Sequence, residues 1–374
     1  MGDVWSWPTL HDGQRIVLLD VLIHGERSRA ELSRRTGLSR ASLSRITREL
    51  LDLGFVEEGE ISAPHGRGRP SEMLRVRPDS AFFIGIKLTG DMLYAVVTNL
   101  HAEIVWTEDA PLESRDAKDV VDQISTIAHR ARERFTRISA IGVCLAGLVE
   151  IEHGAAVVVG SSFLGWDREP LERLVRDATG LPTAIENDVQ ALTLAHHWFG
   201  AGVGTRNLAV VAIGAGIGAG FVVNDELVRG SQGQPGKVGH LHVSDTGPEC
   251  DRGHVGCVSA YATIPALLLN AGASTFNEVV DAAAAGSARA QGAISQAAHA
   301  LGVVVATLVN VTDPEKVIVT GEALQIAEIG RDRFDRAISL SLDPVVAALE
   351  LELYRFHFTD YAWGAAISAI RRVA

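Results

Sequence analysis

The chain has 374 residues, a formal net charge of −12 and three cysteines. This length allows two or three domains with sizeable cores, and so few cysteines argue against a disulfide-built extracellular fold. The charge excludes nucleic-acid binding over the whole surface: residues 1–80 balance twelve arginines with twelve acidic residues, while the remainder carries the entire −12. Nucleic acid is expected to meet only the first part, because the acidic body repels phosphate.

The start of the chain, MGDVWSWPTL, lacks the basic segment and long apolar run of a signal peptide. No apolar segment reaches transmembrane length without interruption. We therefore expect a cytoplasmic protein with no membrane partner.

An amphipathic helix is predicted over residues 15–24, with Ile16, Leu19, Leu22 and Ile23 packing under the next two helices. Residues 28–52 contain those two helical patterns, separated by a short turn with a glycine. This order of helices and turn is typical of a helix-turn-helix DNA reader.

The second of these helices has the polarity of a recognition helix. Leu43, Ile46 and Leu50 recur at helical spacing as one apolar stripe, and a serine that precedes the helix is able to cap its first N–H groups. From residue 27 to residue 48 there are seven arginines and one acid. The alternative is a solvated charged face on a small helical bundle. The residues expected to contact DNA from this helix are Ser39, Arg40, Ser42, Arg45 and Arg48.

A wing is predicted after the helices. Two short strands, near residues 56–58 and 73–76, enclose a Gly/Pro-rich loop that contains Arg67 and Arg69. Two arginines on an extended backbone fit a narrow, electronegative minor groove. The alternative is a flexible linker with solubilising charge.

A domain boundary is predicted at residues 78–80, which gives a winged helix-turn-helix domain over 1–79 and a body over 80–374. In the body, Gly-rich strands alternate with helices, so the fold class is α/β. Strands are expected near residues 81–87, 91–99, 102–107, 138–145, 182–186, 207–213, 221–223, 316–320 and 350–357. The opening strands of its two halves match in kind, which indicates a duplicated lobe. The loop 214–220 is either a phosphate cradle or a tight turn.

Several motifs together resemble the ROK family of repressors, open reading frames and kinases. The run 186–188 (Glu-Asn-Asp) resembles its catalytic motif, and 214–220 resembles its second phosphate loop. The run 236–240 (GKVGH) resembles its sugar-binding element, and 250–257 (CDRGHVGC) resembles its zinc loop. The resemblance covers nearly the full length. It implies an actin-like (ribonuclease H-like), two-lobed sugar-kinase fold after the winged helix, with lobe one over about 80–186 plus the C-terminal helix and lobe two over about 187–360.

The chain departs from the family pattern where kinase chemistry is performed. Lys87 stands in place of the acid that organises Mg²⁺ and nucleotide, and phosphoryl transfer depends on that metal. Lys237, Ser259 and Phe163 replace three partners of sugar hydroxyls. The resemblance therefore leaves no catalytic residue beyond a vestigial base, Asp188. The expected effector-binding residues are Asn187, Asp188, Lys237 and His240.

The zinc loop is incomplete as well. His240, Cys250 and Cys257 match the family's ligands, but the middle cysteine is Arg252. Structural zinc requires four closed ligands, and Asp251 or His254 is able to substitute only if the loop shifts. Alternatively, the guanidinium replaces the metal electrostatically. No cofactor is certain on this basis, although zinc is the candidate.

The expected function is a sequence-specific transcriptional regulator that binds a double-stranded operator and represses genes of carbohydrate or secondary metabolism. Its kinase-like body binds a sugar or sugar-derived effector and forms a homodimer or homotetramer, without kinase activity. Two alternatives stay open at this stage. One is an active ROK sugar kinase with an attached DNA-binding domain, and the other is a regulator without an effector.

Overall fold

The structure is a computed structural model, which describes residues 5–62, 71–233, 235–346 and 348–374. The chain divides into two compact units. The first unit comprises residues 1–204 and 361–374, and the second unit comprises residues 205–360. The interpretation from sequence began the second lobe at about residue 187, whereas the helix that follows this residue belongs to the first unit.

Three helices and three strands form the winged helix-turn-helix at the start of the first unit: α1 (Asp12–His24), α2 (Arg29–Thr36), α3 (Arg40–Leu53), β1 (Arg27–Ser28), β2 (Val56–Ser62) and β3 (Ser71–Val76). The strands pair in the order β1-β3-β2. The stripe of Leu43, Ile46 and Leu50 is buried as predicted. Helix α1 differs from the prediction: it begins at residue 12 and buries Val17, Leu18, Val21 and Leu22, while Ile16 is 47% exposed.

An aromatic stack joins the winged helix to the rest of the first unit. Trp7 stacks on Phe55, just beyond the end of α3, with ring centroids 4.4 Å apart. The same indole lies 5.8 Å from the ring of Phe83 in the next sheet. The guanidinium of Arg137 lies over the ring of Trp5 at 5.7 Å. The N-terminal segment therefore contacts both parts, with aromatic pairs that stabilise beyond their buried area.

The main sheet of the first unit has five strands: β4 (Phe82–Leu88), β5 (Met92–Asn99), β6 (Ile104–Pro111), β7 (Ile138–Leu145) and β11 (Thr183–Asn187). Their order is β11-β7-β4-β5-β6, with β4, β7 and β11 parallel and β5 and β6 antiparallel to their neighbours. The helices of this part of the first unit are α4 (Ala117–Arg134), α5 (Leu171–Thr179), α6 (Asp188–Phe199) and α13 (Thr359–Val373). Side chains at Gly85 and Gly142 would overlap the carbonyls of Ala362 and Ala365, so both glycines let α13 pack directly on the sheet.

A second sheet in the first unit was not predicted from the sequence. It consists of three antiparallel strands, β8 (Leu148–Glu152), β9 (Ala155–Ser161) and β10 (Trp166–Glu169). The buried carboxylate of Glu172 at the start of α5 accepts a hydrogen bond from the Ala156 amide. It also forms an ion pair with the guanidinium of Arg372. This polar contact connects the small sheet to α5 and α13.

The second unit repeats the strand order of the main sheet. Its strands are β12 (Leu208–Ile213), β13 (Ile217–Val223), β14 (Glu226–Leu227), β15 (Lys316–Thr320) and β16 (Glu350–Leu353), in the order β14-β13-β12-β15-β16. When the strands are numbered in chain order within each five-stranded sheet, both sheets have the order 3-2-1-4-5, which confirms the duplication predicted from the sequence. The helices are α7 (Val258–Ala262), α8 (Ile264–Ala271), α9 (Phe276–Ala284), α10 (Ala288–Thr312), α11 (Gln325–Ile329) and α12 (Arg331–Ser341).

Helix α10 forms the centre of the second unit's core. Its buried residues include Leu301, Val304 and Val305, and α12 packs along it. Within the described residues it is also the one helix long and apolar enough to cross a membrane, although no such segment was expected from the sequence. Because 67% of its most apolar window is buried inside the protein, it has the character of a core helix.

Candidate nucleic-acid interface and candidate effector site

The turn between α2 and α3 is built by local capping. Ser28 and Glu31 form a capping box at the start of α2, and Gly37 ends that helix with a φ of 70°. Ser39 then caps α3, where its hydroxyl accepts a hydrogen bond from the Ser42 amide at 3.2 Å. These contacts fix the angle at which α3 is presented.

The outer face of α3 carries three exposed arginines, Arg40, Arg45 and Arg48. Ser42 is half-buried, and its hydroxyl lies 3.0 Å from that of Ser39, so both serines act in capping. The arginines are the long donors that this face offers to a ligand. Guanidinium groups are suited to phosphate oxygens and to the acceptor edge of guanine.

A carboxylate at the end of this face orients Arg45. Glu49 accepts from Arg45 Nη1 at 3.1 Å, from His11 Nε2 at 3.1 Å and from Gln14 Nε2 at 3.1 Å. The hydrogen bond from His11, followed by the charge of Arg45, lowers the pKa of Glu49 below its ordinary value. Glu49 therefore stays ionised near neutral pH and connects the start of α1 to α3.

The wing is described only in its strands. Strands β2 and β3 pair antiparallel, with Val56 opposite Val76. Arg29 at the start of α2 pairs with Glu58 and Glu72 on the two strands, both at 2.9 Å. The predicted minor-groove residues Arg67 and Arg69 lie outside the described residues.

In the first unit, the residues that match the kinase motifs form a buried ion pair. Lys87 on β4 is 4% exposed, and its Nζ lies 2.5 Å from Oδ2 of Asp188, the first residue of α6. The ammonium also lies 4.5 Å from the centre of the Tyr361 ring. The vestigial base is thus bound to an internal cation, and this cation does not need an anionic ligand for charge balance.

Asn187 has a structural role beside this pair. Its side-chain oxygen caps α6 by accepting from the amides of Val189 and Gln190, and its amide donates to the carbonyl of Gly147 at 3.0 Å. Next to it, Cys144 is fully buried; desolvation raises the pKa of its thiol to about 12. This thiol, which donates to the Tyr361 carbonyl, is a core group, as expected for a cysteine in an apolar strand.

In the second unit, the Gly-rich run is mostly strand. Only residues 214–216 form the turn between β12 and β13, closed by a hydrogen bond from the Gly214 amide to the Gly216 carbonyl. A side chain on Gly214 would overlap the carboxylate of Glu322, which therefore rests directly on this turn. A carboxylate in this place opposes phosphate binding, since like charges repel. The structure supports the tight-turn alternative.

The residues that match the sugar-binding element lie in an irregular segment of the second unit. Lys237 and His240 are exposed. The Ser259 amide donates to the Gly239 carbonyl at 2.7 Å, so position 259 lies beside this segment. Phe163, the third substituted position, is 47% exposed in the first unit.

Four side chains of the second unit converge on one point. The ligand atoms of His240, Cys250, His254 and Cys257 all lie within 4.8 Å of one another. The sequence leaves Asp251 and His254 as substitutes for the cysteine that Arg252 replaces, and the structure places His254 in the group. Desolvation alone would raise the pKa of the Cys250 thiol, but hydrogen bonds from the backbone amides of Arg252 and His254 lower it overall.

Sequence reasoning named His254 only as a substitute ligand that required a shifted loop, and it missed Glu322 and Tyr361. His254 is the third histidine of the 236–257 segment, two residues beyond the expected ligand position. Glu322 directly follows the glycine at the end of β15. Tyr361 is an aromatic residue at the start of the C-terminal helix. Each acquires its place through a contact distant in sequence, which spacing does not reveal.

Comparison with known proteins agrees with this organisation. A sequence model described as the ROK family matches residues 83–342, and a MarR family model matches residues 11–68. The xylose repressor of Caldicellulosiruptor bescii is 28% identical over 347 residues, which is 87% of this chain and 86% of that protein. The DNA-binding transcriptional repressor Mlc of Escherichia coli is 28% identical, over 83% and 80% of the two chains.

Solved structures agree as well. A ROK family transcriptional regulator, described as a homologue of E. coli Mlc, is 26% identical with a TM-score of 0.82, and 96% of each chain is covered. A ROK family glucokinase from Streptomyces griseus, solved with glucose and AMPPNP, is 25% identical with a TM-score of 0.66, over 78% of this chain and all of that one. These matches confirm the α/β, actin-like class predicted for the body. The chain belongs to the ROK family.

Proposed function

We propose that this protein is a sequence-specific DNA-binding transcriptional repressor of carbohydrate genes, and that its kinase-like body senses a sugar-derived effector without phosphorylating it. One observation carries the first part: helix α3 presents Arg40, Arg45 and Arg48 on an exposed face, while its other face is fixed in a winged-helix core. Relatives over most of the chain are repressors by name.

The DNA-binding part of the proposal assigns different tasks to the residues of α3. Arg40, Arg45 and Arg48 contact base edges and phosphates, whereas Ser39 and Ser42 hold the start of the helix. Arg67 and Arg69 of the wing enter the adjacent minor groove. Because one helix reads only a few base pairs, two copies are needed for a useful site, which favours a homodimer or homotetramer acting on DNA in the cytoplasm.

The absence of kinase activity is supported by charges in both units. Lys87 holds Asp188 in an ion pair at 2.5 Å, so the would-be base already has a cation as partner. In the second unit, the carboxylate of Glu322 lies against the turn that matches a phosphate loop. A kinase needs an acid that organises the metal and a loop that cradles phosphate. Here a cationic residue, Lys87, stands in place of the acid, and an anionic residue, Glu322, lies against the loop.

The effector part rests on the remaining polar residues of the two motifs. Lys237 and His240 are exposed and offer donors to a sugar hydroxyl or to an acidic sugar derivative. Asn187 and Asp188 are engaged in contacts within the first unit, so we propose a structural role for them there rather than free binding of an effector. The names of several relatives point to xylose and N-acetylglucosamine as first compounds to test.

Selection of operators from genomic fragments tests the DNA-binding part. The full-length protein should enrich a few sites with two related half-sites about one helical turn apart, or a multiple of it. A variant with Arg40, Arg45 and Arg48 replaced by alanine should lose this enrichment, whereas Arg173→Ala, an exposed arginine on α5, should keep it. Equal enrichment by the triple variant would remove α3 from recognition.

A coupled ADP-release assay tests the second part. With glucose, xylose, mannose or N-acetylglucosamine, the wild-type protein should give no turnover above background. A rate near about 1 s⁻¹, ordinary for an enzyme, that disappears in Asp188→Asn would make the protein a sugar kinase. Thermal shifts with the same sugars report effector binding independently of catalysis.

A further inference from the structure

The ligand atoms of His240, Cys250, His254 and Cys257 lie within 4.8 Å of one another, close enough to surround one metal ion. Sγ of Cys250 and Sγ of Cys257 each lie 3.7 Å from Nδ1 of His240. In a zinc tetrahedron with bonds of about 2.3 Å to sulfur and about 2.1 Å to nitrogen, the edge between sulfur and nitrogen is about 3.6 Å. We infer that His254 takes the place of the missing cysteine, so that this chain binds Zn²⁺ through two thiolates and two imidazoles.

The loop backbone brings His254 to this place. The Gly253 amide donates to the Cys250 carbonyl at 3.0 Å, and the Cys250 amide donates to the His254 carbonyl at 3.0 Å. Gly253 has a φ of 81°, a conformation that a side chain disfavours, so the chain reverses at this glycine. The reversal returns His254 to the side of Cys250, and the rings of His254 and His240 lie 4.7 Å apart in an edge-to-face arrangement.

The opposite wall of the site is fixed independently. Cys257 is buried, precedes the first residue of α7 and forms an isolated bridge with His242. The Arg252 amide lies 3.4 Å from Sγ of Cys250, a donor contact that favours the thiolate form. The Arg252 side chain itself is exposed, so the guanidinium does not occupy the centre of the group.

The donor set fits zinc in charge and in type. Two thiolates neutralise Zn²⁺, and neutral imidazoles complete a closed, structural tetrahedron. The metal would tie residue 240 to the 250–257 loop, and no helix or strand of more than two residues lies between β13 and α7 among the described residues. Since metal binding contributes folding free energy, we expect the zinc to hold the segment that contains Lys237 and His240.

Ligand substitution in the full-length protein tests this inference. Wild-type protein should contain one zinc per chain and, after exchange, should give the visible spectrum of tetrahedral Co²⁺ with sulfur ligands. Loss of a residue that only supports a ligand costs about 10–100-fold in affinity. His254→Ala should therefore lower zinc affinity in a chelator competition by more than roughly 100-fold.

Restoring the cysteine provides the decisive control. Arg252→Cys in the His254→Ala background should recover one zinc per chain, and His254→Cys should retain zinc with a stronger sulfur-to-cobalt charge-transfer band. His242→Ala should change nothing, because His242 is hydrogen-bonded to Asp245 outside the group. Wild-type affinity in His254→Ala, or no zinc in a wild-type protein produced with zinc in excess, would overturn the inference. Because His254→Cys keeps four ligands, its spectrum decides the matter even if the alanine variant unfolds.

Discussion

The buried pair between Lys87 and Asp188 predicts a large and specific stability effect. Lys87→Met keeps the volume of the side chain but leaves the carboxylate of Asp188, only 12% exposed, without its ammonium partner. Removal of one member of such a pair costs about 3–5 kcal/mol. The Val189 amide, 2.9 Å from the other oxygen of Asp188, and the start of α6 offset part of this cost. We therefore expect a loss of about 3 kcal/mol, at the lower end of that range.

Thermal unfolding of the full-length protein measures this loss. For a unit of roughly 200 residues, 3 kcal/mol corresponds to a decrease in Tm of about 6–12 °C. In the double variant with Asp188→Asn no buried charge is stranded, so it should recover to within about 1.5 kcal/mol of wild type. Lys118→Met, a change of an exposed lysine on α4, is the matched control and should leave Tm unchanged. A Tm for Lys87→Met equal to that of the control would refute the assignment of a buried, mutually stabilising pair.

Three further predictions follow from contacts elsewhere in the chain. Trp7→Ala removes the stack on Phe55 and the contact with Phe83, so it should destabilise the winged helix by about 3 kcal/mol; hydrogen exchange of α3 should report faster opening, with Trp7→Phe as the conservative control. Arg45→Ala should cost about 1–3 kcal/mol at a selected operator, and band shifts that show wild-type affinity would remove Arg45 from recognition. Light scattering should show a dimer or tetramer, and a monomer both alone and on DNA would contradict the proposed assembly.

The sequence predicts the parts of this fold that are written in local patterns. The stripe of Leu43, Ile46 and Leu50, the serine cap of α3 and the strand at residues 316–320 follow from periodicity and capping chemistry, and the structure has them. The small sheet of β8–β10 was missed because its strands are short and lie between loops, without a long alternating pattern. Of the four residues predicted to form the inner face of α1, only Leu22 is buried, because residues 16–19 and 21–23 are all apolar and their spacing allows more than one inner face.

The candidate site was predictable in its residue types but not in its contacts. The presence of Lys87 where the family has an acid predicted the loss of metal binding. The ion pair between Lys87 and Asp188, which lies 101 residues away, could not be predicted because it depends on the tertiary structure. In the same way, an exposed histidine at position 254 has no periodicity that identifies it as a ligand. Its role follows from the reversal at Gly253, which brings its ring next to that of His240.

One measurement tests the central claim most directly: the affinity of the full-length protein for a selected operator relative to a scrambled duplex, at the same physiological salt concentration. Specific binders prefer their sites by about 10³-fold or more, and the account predicts a ratio of this size that collapses when Arg40, Arg45 and Arg48 are replaced by alanine. The preference should hold without ATP, since no phosphoryl transfer is involved. Equal affinity for operator and scrambled DNA would contradict the account.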